Sequence, residues 1–87
     1  MRLHDSDAVI AALRRLGFAP RHEVTGARRP SGSHWVMTKH VRDEHANVVQ
    51  TLNAPVPLNK KPIKRGTMKS ILELLKLTEE DFESAVR

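Results

Sequence analysis

Two apolar periods alternate along this chain, and their order fixes the class of fold. Val9, Leu13 and Leu16 recur at i, i+4 and i+7, with Ile10 and Ala12 widening the stripe. Met68, Ile71, Leu72 and Leu75 repeat that pattern near the other end. Such spacing is the buried face of an α-helix. Between the two stripes, His34 to Val41 and Val48 to Val56 are rich in Val, Thr, Met and Trp, side chains that suit a pleated, half-buried surface. Polar Arg42 to Asn47 separates these runs as a hairpin tip, and Pro55 and Pro57 end the second run.

Local punctuation supplies the boundaries. Asp5 or Ser6 can cap the first helix, Arg14 and Arg15 complement the dipole in its last turn, and Gly17 is placed to terminate it. Phe18 to Val24 reads as a short extended segment, held at a sheet edge by Pro20. The second helix starts near Thr67. Thr78-Glu79-Glu80-Asp81 is a capping-box start for a last short helix, with Leu77 positioned to staple onto Phe82. The order helix, three strands, two helices predicts one two-layer α+β domain over residues 1–87.

An 87-residue chain buries only about 60–65% of the surface its unfolded form exposes. That excludes a multi-domain enzyme, a Rossmann-type cofactor domain and a barrel. With no cysteine, a disulfide scaffold, a Cys-ligated zinc site and a thiol nucleophile are excluded as well. No run approaches the roughly 20 apolar residues of a membrane span, and the N-terminus lacks a signal-peptide pattern. The expectation is a cytoplasmic protein that does not engage membranes.

The chain carries 15 Lys or Arg against 10 Asp or Glu, a formal +5. Residues 1–70 hold 13 of those bases and 5 of the acids, so the positive charge belongs to the first four-fifths. Excess positive charge points to an anionic partner, nucleic acid before others.

His34 stands at the first position of a strand, after Gly32 and Ser33. Strand alternation places His34, Val36, Thr38 and His40 on one face and Trp35, Met37 and Val41 on the other. With helices over the Trp35 face, His34 lies on the open face, where an imidazole can move protons near neutral pH. The competing reading is a plain polar residue at a strand start. Lys60, Lys61, Lys64 and Arg65 crowd a loop without acids just before a helix, an arrangement that can receive a phosphate or simply be solvated. Arg28 and Arg29 extend the positive surface towards His34. Lys39 is a weaker candidate, because alternation turns it to the Trp35 side. His34, His40 and His45 lack metal-motif spacing, so no metal or other cofactor is expected. Trp35 reads as a core anchor more readily than as a base stacker.

Taken in order, Leu16-Gly17-Phe18, Gly32-Ser33-His34, Val56-Pro57, Lys64-x-Gly66-Thr67-Met68-x-x-Ile71-Leu72 and Leu77-Thr78-x-Glu80-x-Phe82 resemble the HicA, or YcfA-like, family. These are the mRNA interferase toxins of type II toxin–antitoxin systems, associated with stress responses. The resemblance runs from about Asp5 to the end. It implies a double-stranded-RNA-binding-domain-like α-β-β-β-α fold, with helices on one face of the sheet and a short C-terminal helix added. It also implies endoribonuclease activity on mRNA and a HicB-type antitoxin covering the active face of a toxin that is monomeric when free. The family's essential histidine falls on His34, its glycine and serine on Gly32 and Ser33, and its basic loop and Gly-Thr on Lys61, Lys64, Gly66 and Thr67.

Three positions depart from the family pattern. The hairpin from Thr38 to Leu52 is longer, Asn59 stands where many members have a second histidine, and Arg65 replaces a frequent proline. Metal-independent cleavage with the ribose 2′-hydroxyl as nucleophile fits both lines of reasoning. His34 would serve as acid or base, with Lys60, Lys61, Lys64 or Arg65 on the phosphate. The alternatives are a non-catalytic RNA-binding module of the same fold and, more distantly, a DNA-binding regulator.

Overall fold

Asp5 sits extended ahead of the first helix, α1 (Ser6–Arg15), in the computed structural model, which describes residues 1–87. Strand β1 (Ala19–Pro20) follows, then a five-residue helix α2 (Arg21–Thr25), strands β2 (His34–Arg42) and β3 (Val48–Pro57), and helices α3 (Arg65–Leu74) and α4 (Glu79–Ala85). The strands form one antiparallel sheet in the order β1-β2-β3. The α+β class with a three-stranded sheet is therefore as the sequence indicates.

One element differs. The stretch from Phe18 to Val24 is extended only at Ala19 and Pro20, and then becomes α2. Pro20 supplies no N–H to a ladder, which ends the strand, while its fixed φ of −58° leads into a helical turn. Thr25 Oγ1 donates back to the Arg21 carbonyl at 3.1 Å, and Gly26 closes the turn at φ 75°. Glu23 forms a two-pronged pair with the Arg14 guanidinium, both contacts 2.9 Å, and so ties α2 to α1. The pair holds the Glu23 carboxyl below the usual carboxylate range, chiefly through that hydrogen bond. The tie is therefore present above that range and released as the pH falls below it. Helix α3 also begins earlier than the spacing suggests, at Arg65 rather than near Thr67.

The core lies on one face of the sheet. Met37, Ala54 and Val56 are fully buried there against Val9 and Leu13 of α1, Met68 and Ile71 of α3, and Phe82 of α4. His34 and His40 on the opposite face are exposed, as alternation requires. Thr38, on that same open face, is nonetheless buried because it sits between Ala19 and Asn53 in the one place where three strands run side by side. Helices α1, α3 and α4 cover the core face, whereas α2 lies at the edge beside β1 and β2. The hairpin turns on Asp43, whose carboxylate accepts from the His45 and Asn47 N–H groups and is held below its usual range by them.

Both long helices end in the same hydrogen-bond pattern. Phe18 N–H reaches Leu13 O and Gly17 N–H reaches Arg14 O at the end of α1; Leu77 N–H reaches Leu72 O and Lys76 N–H reaches Glu73 O after α3. This is the Schellman motif, which needs a left-handed residue at its turn. Gly17 fills it at φ 94°, and Lys76 must adopt φ 55°. The C-terminal helix starts with the capping box that the sequence predicts: Thr78 Oγ1 accepts from Asp81 N–H, and Asp81 accepts from Thr78 N–H.

These two turns give opposite predictions. A left-handed non-glycine residue costs about 1–2 kcal/mol, against about 0.5–1 kcal/mol of extra chain entropy for glycine. Lys76→Gly is therefore expected to raise the melting temperature by a few degrees. Gly17→Ala should lower it, because the new Cβ would stand 3.2 Å from Lys39 Cε at a strained φ. Thermal denaturation of both variants checks the pair, and a lower Tm for Lys76→Gly would contradict the account of that turn.

Candidate functional site

Strand β2 opens with His34, and its register with β3 places Pro57 opposite. Leu58 N–H donates to Ser33 O at 2.7 Å, which fixes the backbone just before the histidine. Ser33 Oγ lies 3.1 Å from His34 Nδ1. That contact orients the ring and leaves Nε2, which has no partner within the chain, free for an outside group.

The basic loop after β3 is brought to His34 by the start of the chain. Ser6 is 2% exposed, and its Oγ donates to Pro57 O at 2.8 Å while accepting from Lys60 N–H at 2.9 Å. Ser6 N–H bonds to Lys60 O, and Ile63 N–H to His4 O, both at 3.0 Å. Ile63 is 1% exposed and anchors the far end of the loop in the core. Four bonds and one buried side chain thus set the path from Pro57 to Lys64.

His34 stands where two clefts meet. One, of about 270 Å³, is lined by His34, Lys60, Lys64 and Thr67, with Pro57, Pro62 and Ile63 as its floor. Helix α3 begins at this cleft with no side-chain cap on its first N–H groups and no acid in its first turn. Uncapped N–H groups beside two ammonium groups make a favourable place for an anion. The other cleft, of about 310 Å³, is lined by His34, Val36, Pro30 and Arg28 together with Arg21, His22, Thr25 and Ala27 around α2.

The sequence candidates are thus partly gathered and partly separated. Ser33, Arg28, Lys60, Lys64 and Thr67 come to His34. Arg29 does not: its guanidinium lies 4.8 Å above the Trp35 ring, on the side of α1. Lys61 lines neither cleft; it borders a hollow beside Asp5 and Asp7, which Lys60 also lines. Arg65 is exposed on the first turn of α3 and lines neither cleft. Gly32 is exposed with open space around it, so its surroundings would admit a Cβ. Lys39 is absorbed structurally, donating to Leu16 O at 3.1 Å beyond the end of α1. Trp35 is half-buried against the core, with the His22 ring edge-on at 5.1 Å. His34, His40 and His45 do not assemble into a metal-ligand group.

Arg21 and His22 are the residues that the sequence reading misses. They belong to α2, and the signal for it was the Pro20-to-Gly26 spacing, which brackets a single helical turn. No protein-family model matches the sequence, and no curated protein matches it. Geometry and chemistry therefore carry the functional argument.

The Ser6 bonds make a direct prediction. Ser6→Ala leaves Lys60 N–H and Pro57 O without their partner, at a cost of about 1–3 kcal/mol for buried groups. Amide exchange at Lys60 should accelerate well beyond that of α4. Equal acceleration throughout would mean that Ser6 stabilises the fold without specifically positioning the loop.

Proposed function

We propose that this protein is a metal-independent endoribonuclease in which His34 handles the proton, as the HicA resemblance implies. The observation that carries the reading is the placement of one exposed imidazole, oriented by Ser33, between two clefts rimmed with cations. In the reaction the ribose 2′-hydroxyl gives its proton to His34 Nε2 as its oxygen bonds to phosphorus. The P–O5′ bond breaks and the departing 5′-oxygen takes a proton from solvent water, leaving a 2′,3′-cyclic phosphate and a 5′-hydroxyl end, and His34 then returns its proton to solvent. Lys60, Lys64 and the first N–H groups of α3 hold the phosphate as charge develops on its oxygens. The nucleophile comes from the substrate, which suits a site with no Cys and no strand–turn–helix serine.

On this reading the fold is a double-stranded-RNA-binding-domain-like sandwich with α2 inserted between its first two strands. The biological setting is that of a cytoplasmic toxin whose HicB-type antitoxin covers the His34 face. The rim of that face is basic, which suits an acidic partner surface as well as RNA.

His34→Ala should reduce cleavage of labelled RNA by about 10²–10⁴-fold, with circular dichroism unchanged. Cleavage by the wild type should persist in EDTA and stop when the nucleotide 5′ of the cut lacks its 2′-hydroxyl. Full activity of His34→Ala would remove the histidine from the mechanism. RNA bound but left intact by the wild type would instead indicate a binding module.

A further inference from the structure

We propose that the cleft between α2 and β2 binds one unpaired nucleotide next to the cut, with its base against Val36 and Pro30 and its phosphate on Arg21 and Arg28. The proposal rests on the endoribonuclease reading of His34 and extends it to a second subsite. Three observations support it. At about 310 Å³ the cleft is at the lower end of small-ligand pockets, the size for one planar group rather than a duplex. Its wall is apolar where Val36, Pro30 and Ala27 meet, and its only charged or titratable side chains are Arg21, Arg28, His22 and His34. No carboxylate lines it, because Glu23, the one acid of α2, is turned to Arg14.

Apolar walls with guanidinium rims suit a nucleotide. The base stacks on the walls and on the guanidinium planes, and the phosphate takes the charge. A base inside a duplex offers only its edge, so this cleft selects a nucleotide already out of the stack. His34 is shared with the Lys60–Lys64 cleft, so a strand lying across both would present its linking phosphate to the imidazole. Thr25 Oγ1 is occupied, donating to Arg21 O and accepting from Ala27 N–H at 3.3 Å. With that hydroxyl engaged, the cleft takes a base by shape and stacking more than by hydrogen-bond readout.

The test uses a 2′-O-methyl hexanucleotide, which cannot supply the attacking hydroxyl, so binding is read apart from cleavage. Its addition to the wild type should shift the Val36 and Ala27 methyl resonances. The same strand annealed into a full duplex should leave them in place. Arg28→Ala, on an exposed loop, and Val36→Trp, which fills the cleft, should each weaken binding by about tenfold or more. Circular dichroism identifies a variant that fails to fold, and Arg28→Ala decides if Val36→Trp does. Unmoved Val36 and Ala27 methyls, or variants that bind and cut like the wild type, overturn the subsite while leaving the nuclease reading intact. Shifted methyls in a protein that never cuts RNA uphold the cleft and overturn the nuclease. A wild type that neither binds nor cuts overturns both.

Discussion

The basic loop beside His34 depends on the hydroxyl of Ser6. It sits at the first turn of α1, is buried, and joins the last residue of β3 to the backbone of the basic loop. Without this bridge the path from Pro57 to Lys64 would rest on two backbone bonds and the Ile63 side chain alone. With it, the start of the first helix, the end of the last strand and the start of α3 meet at one point. The core serves the same end: Ile63 enters it and stops the loop from lifting away.

Two other ties hold the last helix. His4 Nε2 lies 3.1 Å from a Glu83 carboxylate oxygen, and Arg15 donates to the Ala85 carbonyl. They fasten α4 to the segment before α1 and to the last residue of α1. The acidic helix is thereby kept off the clefts at His34, where Arg21, Arg28, Lys60 and Lys64 meet solvent. Distribution of charge, more than its total, is what the fold achieves.

Much of this was legible in the residues. Periodicity located the long helices and the hairpin, Gly17 marked the end of the first helix and Thr78 the start of the last, and alternation put His34 outside and Met37 inside. What it could not supply was the destination of neighbouring cations. Arg28 and Arg29 are equivalent in sequence, as are Lys60 and Lys61, yet only Arg28 and Lys60 line the clefts at His34. Chain direction within an irregular loop has no period to read. Helix α2 was missed for a related reason: a single turn is too short to display an apolar stripe, and it is set instead by Pro20, Gly26 and the Arg14–Glu23 pair. The Ser6 bridge spans more than fifty residues of chain, and nothing local announces it.

The stacking of Arg29 on Trp35 has a further consequence. It pins the loop between α2 and β2 near its middle, so that Arg28, one residue away, is attached to a fixed post rather than to a swinging strap. Much of the freedom that an eight-residue glycine-containing loop would lose on meeting a ligand is already surrendered when the protein folds. Association at this face can therefore be fast and need little rearrangement, with the aromatic ring acting as the loop's mooring.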